Sequence, residues 1–335
     1  MSAFEKAWYD DKPGSFSLLL PLSWLYRFGV VIRKAILQAR YQGRAWPVPL
    51  VVIGNINVGG TGKTPLLIAL VKALAAEGIR SGVVSRGYGG SAGRSPLVVT
   101  ARTPVTQSGD EALLIARRTS SPVVVCTDRR AAVTKLLDEY QVDVILSDDG
   151  LQHYRMHRDL EVVVVDGQRR LGNGHCLPVG PLREGTKRLR SVDAVVINGL
   201  DQACASACLA TMSDTSAAVH GMVLKPSVLV NLQSGARQLA ADWAGRKIHG
   251  VAGIGNPERF RATLCELGLE PRFQAFPDHY NFTAADLEFN DDLPVVMTAK
   301  DAVKCEAFAS ERCWYLEVDA QIPVQLLRAI INKIN

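Results

Sequence analysis

A short glycine-rich run carries the clearest chemistry in the chain. Gly59-Gly60-Thr61-Gly62-Lys63-Thr64 follows an apolar, β-branched run at 50–53 and precedes Leu66, Leu67, Leu70, Ala73 and Leu74 at core spacing. Strand, glycine loop and helix in that order form the context in which a Gly-Lys-Thr loop cradles phosphates. Glycines let backbone N–H groups turn inward, and the helix N-terminus adds partial positive charge. Lys63 can then reach the β- and γ-phosphates of a nucleoside triphosphate, and the Thr64 hydroxyl can ligate Mg²⁺. The expected chemistry is transfer of a terminal phosphoryl group. The first glycine of the general G-x-x-x-x-G-K-[ST] pattern falls on Asn57. Asn tolerates left-handed backbone better than most residues, so the loop can still close with Asn57 at that position.

Carboxylates at strand tips come next. The run at 144–147 ends in Asp148 and Asp149, and a carboxylate there can hold Mg²⁺ directly or through water. Asp166, after the valines at 162–165, has the same shape, and any of the three can instead cap a following turn. Asp110, in Gly109-Asp110-Glu111, opens another helical pattern. It reads as a helix cap or as the base that takes a proton from an attacking hydroxyl.

The elements that must position these groups are legible as a period. Apolar runs at 50–53, 81–85, 122–126, 143–147, 161–165 and 193–197 alternate with helical patterns at 63–78, 109–118 and 129–140. Such alternation predicts a P-loop NTPase-type α/β fold: a mostly parallel sheet with helices on both faces and ligands beyond the carboxyl ends of the strands. Residues 201–210 read as a helix, and 217–224 and 227–232 as two strands joined by a turn at Lys225-Pro226. Alternation resumes at 247–252, 256–268, 294–298, 300–309 and 314–318. The expected division is an N-terminal region at 1–45, a phosphate-loop core at 46–224, and linker strands with a smaller α/β lobe at 225–335.

Composition narrows the class. With 335 residues, 47% hydrophobic and 21% charged, the chain can bury a large core and is not generally disordered. A net charge of +5 without a long Lys/Arg run permits an anionic surface as partner but does not demand one. Seven cysteines include no Cys-x-x-Cys pair, which reads as reduced thiols in a cytoplasmic compartment. Cys204 and Cys208 are expected as small packing residues on one helix face.

The N-terminal apolar run at 15–30 is interrupted by Pro21, Ser23, Arg27 and Gly29, so it is a poor spanning helix. Glu5, Asp10 and Asp11 before it argue against a signal peptide. From 22 to 44 the pattern is helical, with Leu25, Val30, Ile32, Ile36 and Leu37 among Arg27, Arg33, Lys34, Arg40 and Arg44. Two readings stand: a helix lying on anionic headgroups, or one docked on the protein's own core with its basic face in water.

Taken together the motifs resemble the tetraacyldisaccharide 4′-kinase family, the lipid A 4′-kinases. The resemblance rests on GNINVGGTGKTP at 54–65, SRGYGG at 85–90, SGDEALLIA at 108–116, DRRAA at 128–132, SDDGLQHYRMHRDLEVVVVD at 147–166, LPVGPLREG at 177–185, GIGNPERF at 253–260, FPDHYNF at 276–282 and TAKDAVK at 298–304. In this family Asn at position 57 is usual. The resemblance implies ATP and Mg²⁺ as cofactors and a tetraacylated glucosamine disaccharide 1-phosphate as acceptor at its 4′-hydroxyl. It implies a peripheral enzyme on the cytoplasmic face of the bacterial inner membrane, with no nucleic-acid partner and no obligate protein partner. It assigns nucleotide binding to Asn57, Gly59, Gly60, Thr61, Gly62, Lys63 and Thr64, with Lys63 also catalytic. Asp110 becomes the base, supported by His279. Asp148, Asp149 and Glu184 join Thr64 as candidates for the metal or for organising the site. Gln152 and His153 line the region, and Arg86, Arg129 and Arg183 are candidate substrate contacts. A kinase for a soluble acceptor and an ATP-driven switch are the competing classes. A guanine-specific switch is disfavoured, because Thr298-Ala299-Lys300-Asp301 lacks the spacer of the Asn/Thr-Lys-x-Asp motif.

Overall fold

The computed structural model describes residues 7–9, 14–41, 45–213 and 215–334. Glu5, Asp10, Asp11 and Arg44 lie outside the described residues. A short 3₁₀ segment, Gly14–Leu19, leads into helix α1, Leu20–Tyr41. The phosphate-loop half then runs β1 (Leu50–Gly54), α2 (Lys63–Ala76), β2 (Ser81–Ser85), β3 (Leu97–Val99), α3 (Val105–Ser108), α4 (Asp110–Arg118), β4 (Val123–Val125), α5 (Arg129–Glu139), β5 (Val144–Asp148), β6 (Leu160–Asp166), β7 (Ala194–Asn198) and α6 (Gln202–Met212). The remainder runs β8 (Ala218–Asn231), β9 (Arg237–Leu239), β10 (Lys247–Ala252), α7 (Pro257–Glu266), β11 (Glu270–Ala275), β12 (Val295–Thr298), α8 (Ala299–Cys305), β13 (Cys313–Gln321) and α9 (Val324–Ile334).

The strands form one sheet in the order β11-β10-β12-β13-β8-β7-β6-β1-β5-β2-β4-β3, with β9 paired to β8. Pairing is parallel except at β3/β4, β8/β9 and β8/β13. Alternation along each strand divides the core between two faces. Val51 and Ile53 of β1 join Leu66, Leu70 and Leu74 of α2, with α4 and α9 on the same side. Leu50 and Val52 face α5 and α6 on the other. The leucines of α2 are fully buried, each worth about 1.5–3 kcal/mol over an exposed one. In the smaller C-terminal lobe α7 covers one face and α8 the other.

Two expectations about local structure are corrected. Lys225-Pro226 is not a turn, because β8 is one continuous strand of 14 residues. Its first part pairs with β7 and its second with β13, and so it joins the two lobes. Pro226 is tolerated because the register against β13 slips there, leaving Ser227 unpaired between Pro226↔Val318 and Val228↔Glu317. Of the cysteines on α6, Cys208 is buried but Cys204 is exposed, near the helix start where its N–H reaches Asp201.

Candidate active site

The phosphate loop joins β1 to α2. Gly62 caps α2 with φ +95°, and a Cβ there would lie 2.2 Å from Nδ2 of Asn198. Only glycine suits that combination of backbone and space. Asn198, at the tip of β7, donates to the Thr61 carbonyl at 2.9 Å. The loop closes without Asn57 entering the left-handed region. Gly59 and Gly62 supply the positive φ instead, while Asn57 bridges to Leu182 and donates to the Arg170 carbonyl at 2.9 Å. Lys63 is buried, its Nζ 3.4 Å from Asp149 Oδ1, and Thr64 follows it in the first turn of α2.

Strands β5 and β6 flank β1, so the rival aspartates finish on either side of the loop. Asp148 is buried. Its Oδ2 accepts from Ser85 at 3.3 Å, while Oδ1 has no hydrogen-bonding partner. Burial, then Glu111 and Asp149, push its carboxyl well above the usual range, against Lys63 and Arg129. Asp149, with φ +46°, stands beside Lys63 and Arg183, whose Nη1 is 3.1 Å away. Burial works against its charge, but Lys63 and Arg183 hold its carboxyl well below the usual range. Asp166 is spent differently. One oxygen accepts the Gln168 and Arg169 N–H groups and the other takes Arg259 at 3.0 Å.

The remaining candidates occupy the rim and floor. Glu184 accepts from Gln152 at 2.9 Å and from the Tyr154 hydroxyl, with Arg188 at 3.4 Å. Arg129 is buried, donating to the carbonyls of Asp148 and Cys126. Its charge therefore acts from beneath the β5 tip. Burial, and then Arg129, bring His153 down to about 4, so it is neutral near pH 7. Arg86 is exposed after β2.

The opposite wall comes from the C-terminal lobe. Asp110, in the first turn of α4, is buried, and its Oδ2 lies 3.0 Å from Nδ1 of His279. His279 is held with φ +58° by its N–H, which donates to the Gly253 carbonyl and the Asp278 carboxylate. Non-glycine residues in this region are strained and gather at functional sites. Tyr88 lies against the His279 ring at 4.6 Å between centroids. Gly255, two residues beyond Gly253, meets the phosphate loop, and a Cβ there would fall 2.6 Å from the Gly60 nitrogen. One glycine loop thus links the phosphate site to the Asp110–His279 pair.

Helix α1 docks beside Arg183 and Glu184. Ser23 donates to the Cys176 carbonyl at 2.7 Å, and the Tyr26 hydroxyl to the Arg183 carbonyl at 3.3 Å. Ser23, Tyr26, Val30, Lys34 and Leu37 face inward at helical spacing. Leu22, Trp24, Leu25, Phe28, Val31, Ile32 and Ile36 are exposed, Trp24 and Leu25 at 65%. The helix is thus docked with Arg27, Arg33 and Arg40 exposed, as one of the two expectations had it, but the same outer face also carries these large apolar side chains, which the other expectation requires.

Sequence reasoning did not single out Ser85, Tyr88, Asn198, Arg259, Lys300 or Lys304. Several lie inside the motifs quoted above, but no period or spacing says which loop or helix face will meet the site.

Fold and site together define a phosphate-loop phosphotransferase with a second lobe closing over the loop. The family model described as Tetraacyldisaccharide-1-P 4′-kinase matches residues 15–335. The chain belongs to that family. Curated relatives named Tetraacyldisaccharide 4′-kinase include one from Pseudomonas paraeruginosa, 48% identical over 94% of this chain and 91% of its own length. Another, from Hahella chejuensis, is 46% identical over 99% of this chain and 96% of its own. A crystal structure of Aquifex aeolicus LpxK in complex with ATP superposes with TM-score 0.78 at 27% identity, over 95% of this chain and 99% of that one.

Proposed function

We propose that this kinase moves the γ-phosphoryl group of ATP to the 4′-hydroxyl of a tetraacylated glucosamine disaccharide 1-phosphate, working from the cytoplasmic face of the bacterial inner membrane. The observation that carries the reading is the Asp110–His279 pair, tied through Gly253–Gly255 to the loop that holds Lys63. A sugar hydroxyl is a poor nucleophile until a base takes its proton. Asp110 accepts that proton as the 4′-oxygen bonds to the γ-phosphorus and the bond to the β-phosphate oxygen breaks, leaving ADP. His279 holds the carboxylate in place. Lys63 offsets charge on the migrating group, and Arg183 steadies Asp149 beside it.

Magnesium fits the residues present. Asp148 Oδ1 is a buried oxygen without a partner, the kind of donor a hard cation or its water takes. Asp148, Asp149 and Thr64 would hold the ion, and when bound it neutralises phosphate charge. Glu184, committed to Gln152, Tyr154 and Arg188, orders the adjoining wall. The outer face of α1 gives the lipid acceptor's membrane a place to rest, next to the loop that carries Arg183.

The test is incubation of the purified chain with ATP and a panel of lipid and sugar acceptors, followed by mass analysis. One phosphoryl group gained at the 4′ position of the lipid disaccharide is expected. ATP hydrolysis with no acceptor gain would favour the switch class, and preference for a soluble sugar would remove the lipid assignment.

A further inference from the structure

Helix α8 sends two lysines, four residues apart and therefore on one face, toward Asp110. They are not equivalent. Lys304 pairs with the fully buried Asp301 at 2.7 Å and stays 3.9 Å from Asp110 Oδ2. Lys300 Nζ lies 3.1 Å from Glu111 Oε1, 3.4 Å from Asp278 Oδ1 and 3.3 Å from His279 Nε2. An ammonium has three N–H donors and no acceptor, and here it meets three acceptors.

We infer that Lys300 is the positioning residue that fixes the tautomer of His279 and thereby aims Asp110. The inference rests on the reading of Asp110 as the base. Because Lys300 only donates, Nε2 must keep its lone pair. The imidazole proton then sits on Nδ1, which faces Asp110 Oδ2 at 3.0 Å. A neutral histidine with the other tautomer would point a lone pair at the carboxylate and push it away. Glu111 belongs to α4 and Lys300 to the other lobe, so the contact forms only where the lobes meet.

The electrostatics agree with the geometry. His279 is faced by Asp110 from α4, Lys300 from α8, Asp278 from its own loop and the Tyr88 ring from the loop after β2. Burial lowers its basicity, the Asp110 hydrogen bond raises it and Lys300 lowers it again, with a net rise. Burial would raise Asp110, but His279, Lys300 and Lys304 together hold it below the usual carboxylate range. Removing Lys300 takes away a brake on His279 protonation and leaves Asp110 to favour the imidazolium.

The experiment is two-bond ¹H–¹⁵N NMR of the full-length labelled protein, which contains six histidines. The His279 signals are assigned by their loss in His279→Gln. From about pH 6 to 9 the native protein should show His279 mainly as the Nδ1–H tautomer above its own midpoint. In Lys300→Met the midpoint should rise by about one unit, and above it the Nδ1–H preference should weaken, since Asp110 alone then supports it. The kcat of that variant should stay within about threefold of native below the new midpoint and fall about tenfold above it, with the KM for ATP kept. Lys300→Arg, still a donor, should restore both readings. A folded Lys300→Met protein with native His279 tautomer and midpoint overturns the inference, as does a loss of kcat equal at every pH. If Lys300→Met does not melt cooperatively, Lys300→Leu, which likewise offers no donor, supplies the same readings. An active Asp110→Asn enzyme would sink the base assignment, whereas unmoved His279 resonances would sink this one alone.

Discussion

Nδ1 of His279 lies 3.0 Å from Oδ2 of Asp110 although 169 positions separate the two in sequence. The contact joins the C-terminal lobe to the first turn of α4, and it turns a helix-opening aspartate into a supported carboxylate. Asp110 also accepts the N–H of Glu111, while Gly109 occupies the cap position, so the expected capping role is not the one it fills. Asp110→Asn keeps an oxygen for that N–H and removes the carboxylate that would accept the proton. Acceptor phosphorylation should fall about 10²–10⁴-fold with ATP affinity nearly intact. His279→Ala should slow the same step, and the double variant should be little worse than the poorer single one. Single-turnover rates check this, with thermal melts for folding. Multiplicative losses would argue that the two residues act independently.

The outer face of α1 gives a second prediction. Leu25 and Phe28 are exposed and make none of the inward contacts of Ser23 and Tyr26. Leu25→Glu with Phe28→Glu should leave melting and ATP binding unchanged. Partitioning onto anionic vesicles should drop by at least about tenfold, since each buried side chain of this size is worth ~1.5–3 kcal/mol. Use of vesicle-borne acceptor should fall with it, and use of detergent-dispersed acceptor much less. Equal sedimentation with vesicles by native and variant protein would remove the membrane role from this face.

Much of this was legible in the chain because periodicity reports burial. The strands at 50–53 and 81–85, and the helix after Lys63, lie where apolar spacing puts them. β11 escaped because it is a mostly exposed edge strand containing Pro271. α9 escaped although it buries Leu326 and Ile330 against the core, because its short apolar pattern directly follows a proline. Proline also misled at Pro226, where a register slip removes its cost. The site was legible as motifs but not as contacts. Asp148 and Asp166 end strands on both sides of β1, so local sequence cannot separate them. What separates them is Arg259, 93 positions from Asp166. Lys300 was visible only within TAKDAVK and in the discarded guanine-switch comparison, since no spacing says that α8 meets α4.

Glu161 should give the protein an acid-sensitive anchor. It is 8% exposed at the start of β6, bonded to Arg158 at 2.8 Å and to Arg188. Burial would raise its carboxyl, but the two guanidiniums hold it below the usual value. A depressed folded pKa stabilises fully above the unfolded value, about 4.3, and that stability is lost as pH falls through the folded pKa. Glu161→Gln should therefore cost about 3 kcal/mol near neutrality, the scale of a broken buried pair. The gap in melting temperature should stay constant from about pH 7 to 6 and close only below about pH 4. A gap that does not change down to the acid limit would assign the loss to packing rather than charge.

One chain of hydrogen bonds runs from the C-terminal lobe into the phosphate loop. Arg259, on α7, donates to Asp166 at 3.0 Å and to Asn198 Oδ1 at 3.1 Å, and Asn198 donates to the Thr61 carbonyl at 2.9 Å. Asp166 is 3% exposed, so Arg259→Ala leaves a buried carboxylate without its cation and frees Asn198 to turn away from Thr61. Truncating one partner of such a pair costs about 2–5 kcal/mol, much of it from the stranded charge. Asp166→Asn removes that charge while still accepting from the turn N–H groups. The cost of Arg259→Ala should therefore be smaller in an Asp166→Asn background, with a coupling of about 1–3 kcal/mol in denaturant melts. Arg259→Ala, alone or in the Asp166→Asn background, should raise the KM for ATP more than it lowers kcat, because the loop loses a support but keeps Lys63 and the Asp110–His279 pair. Additive stability losses with an unchanged KM would show that the chain holds the lobes together without bearing on the nucleotide loop.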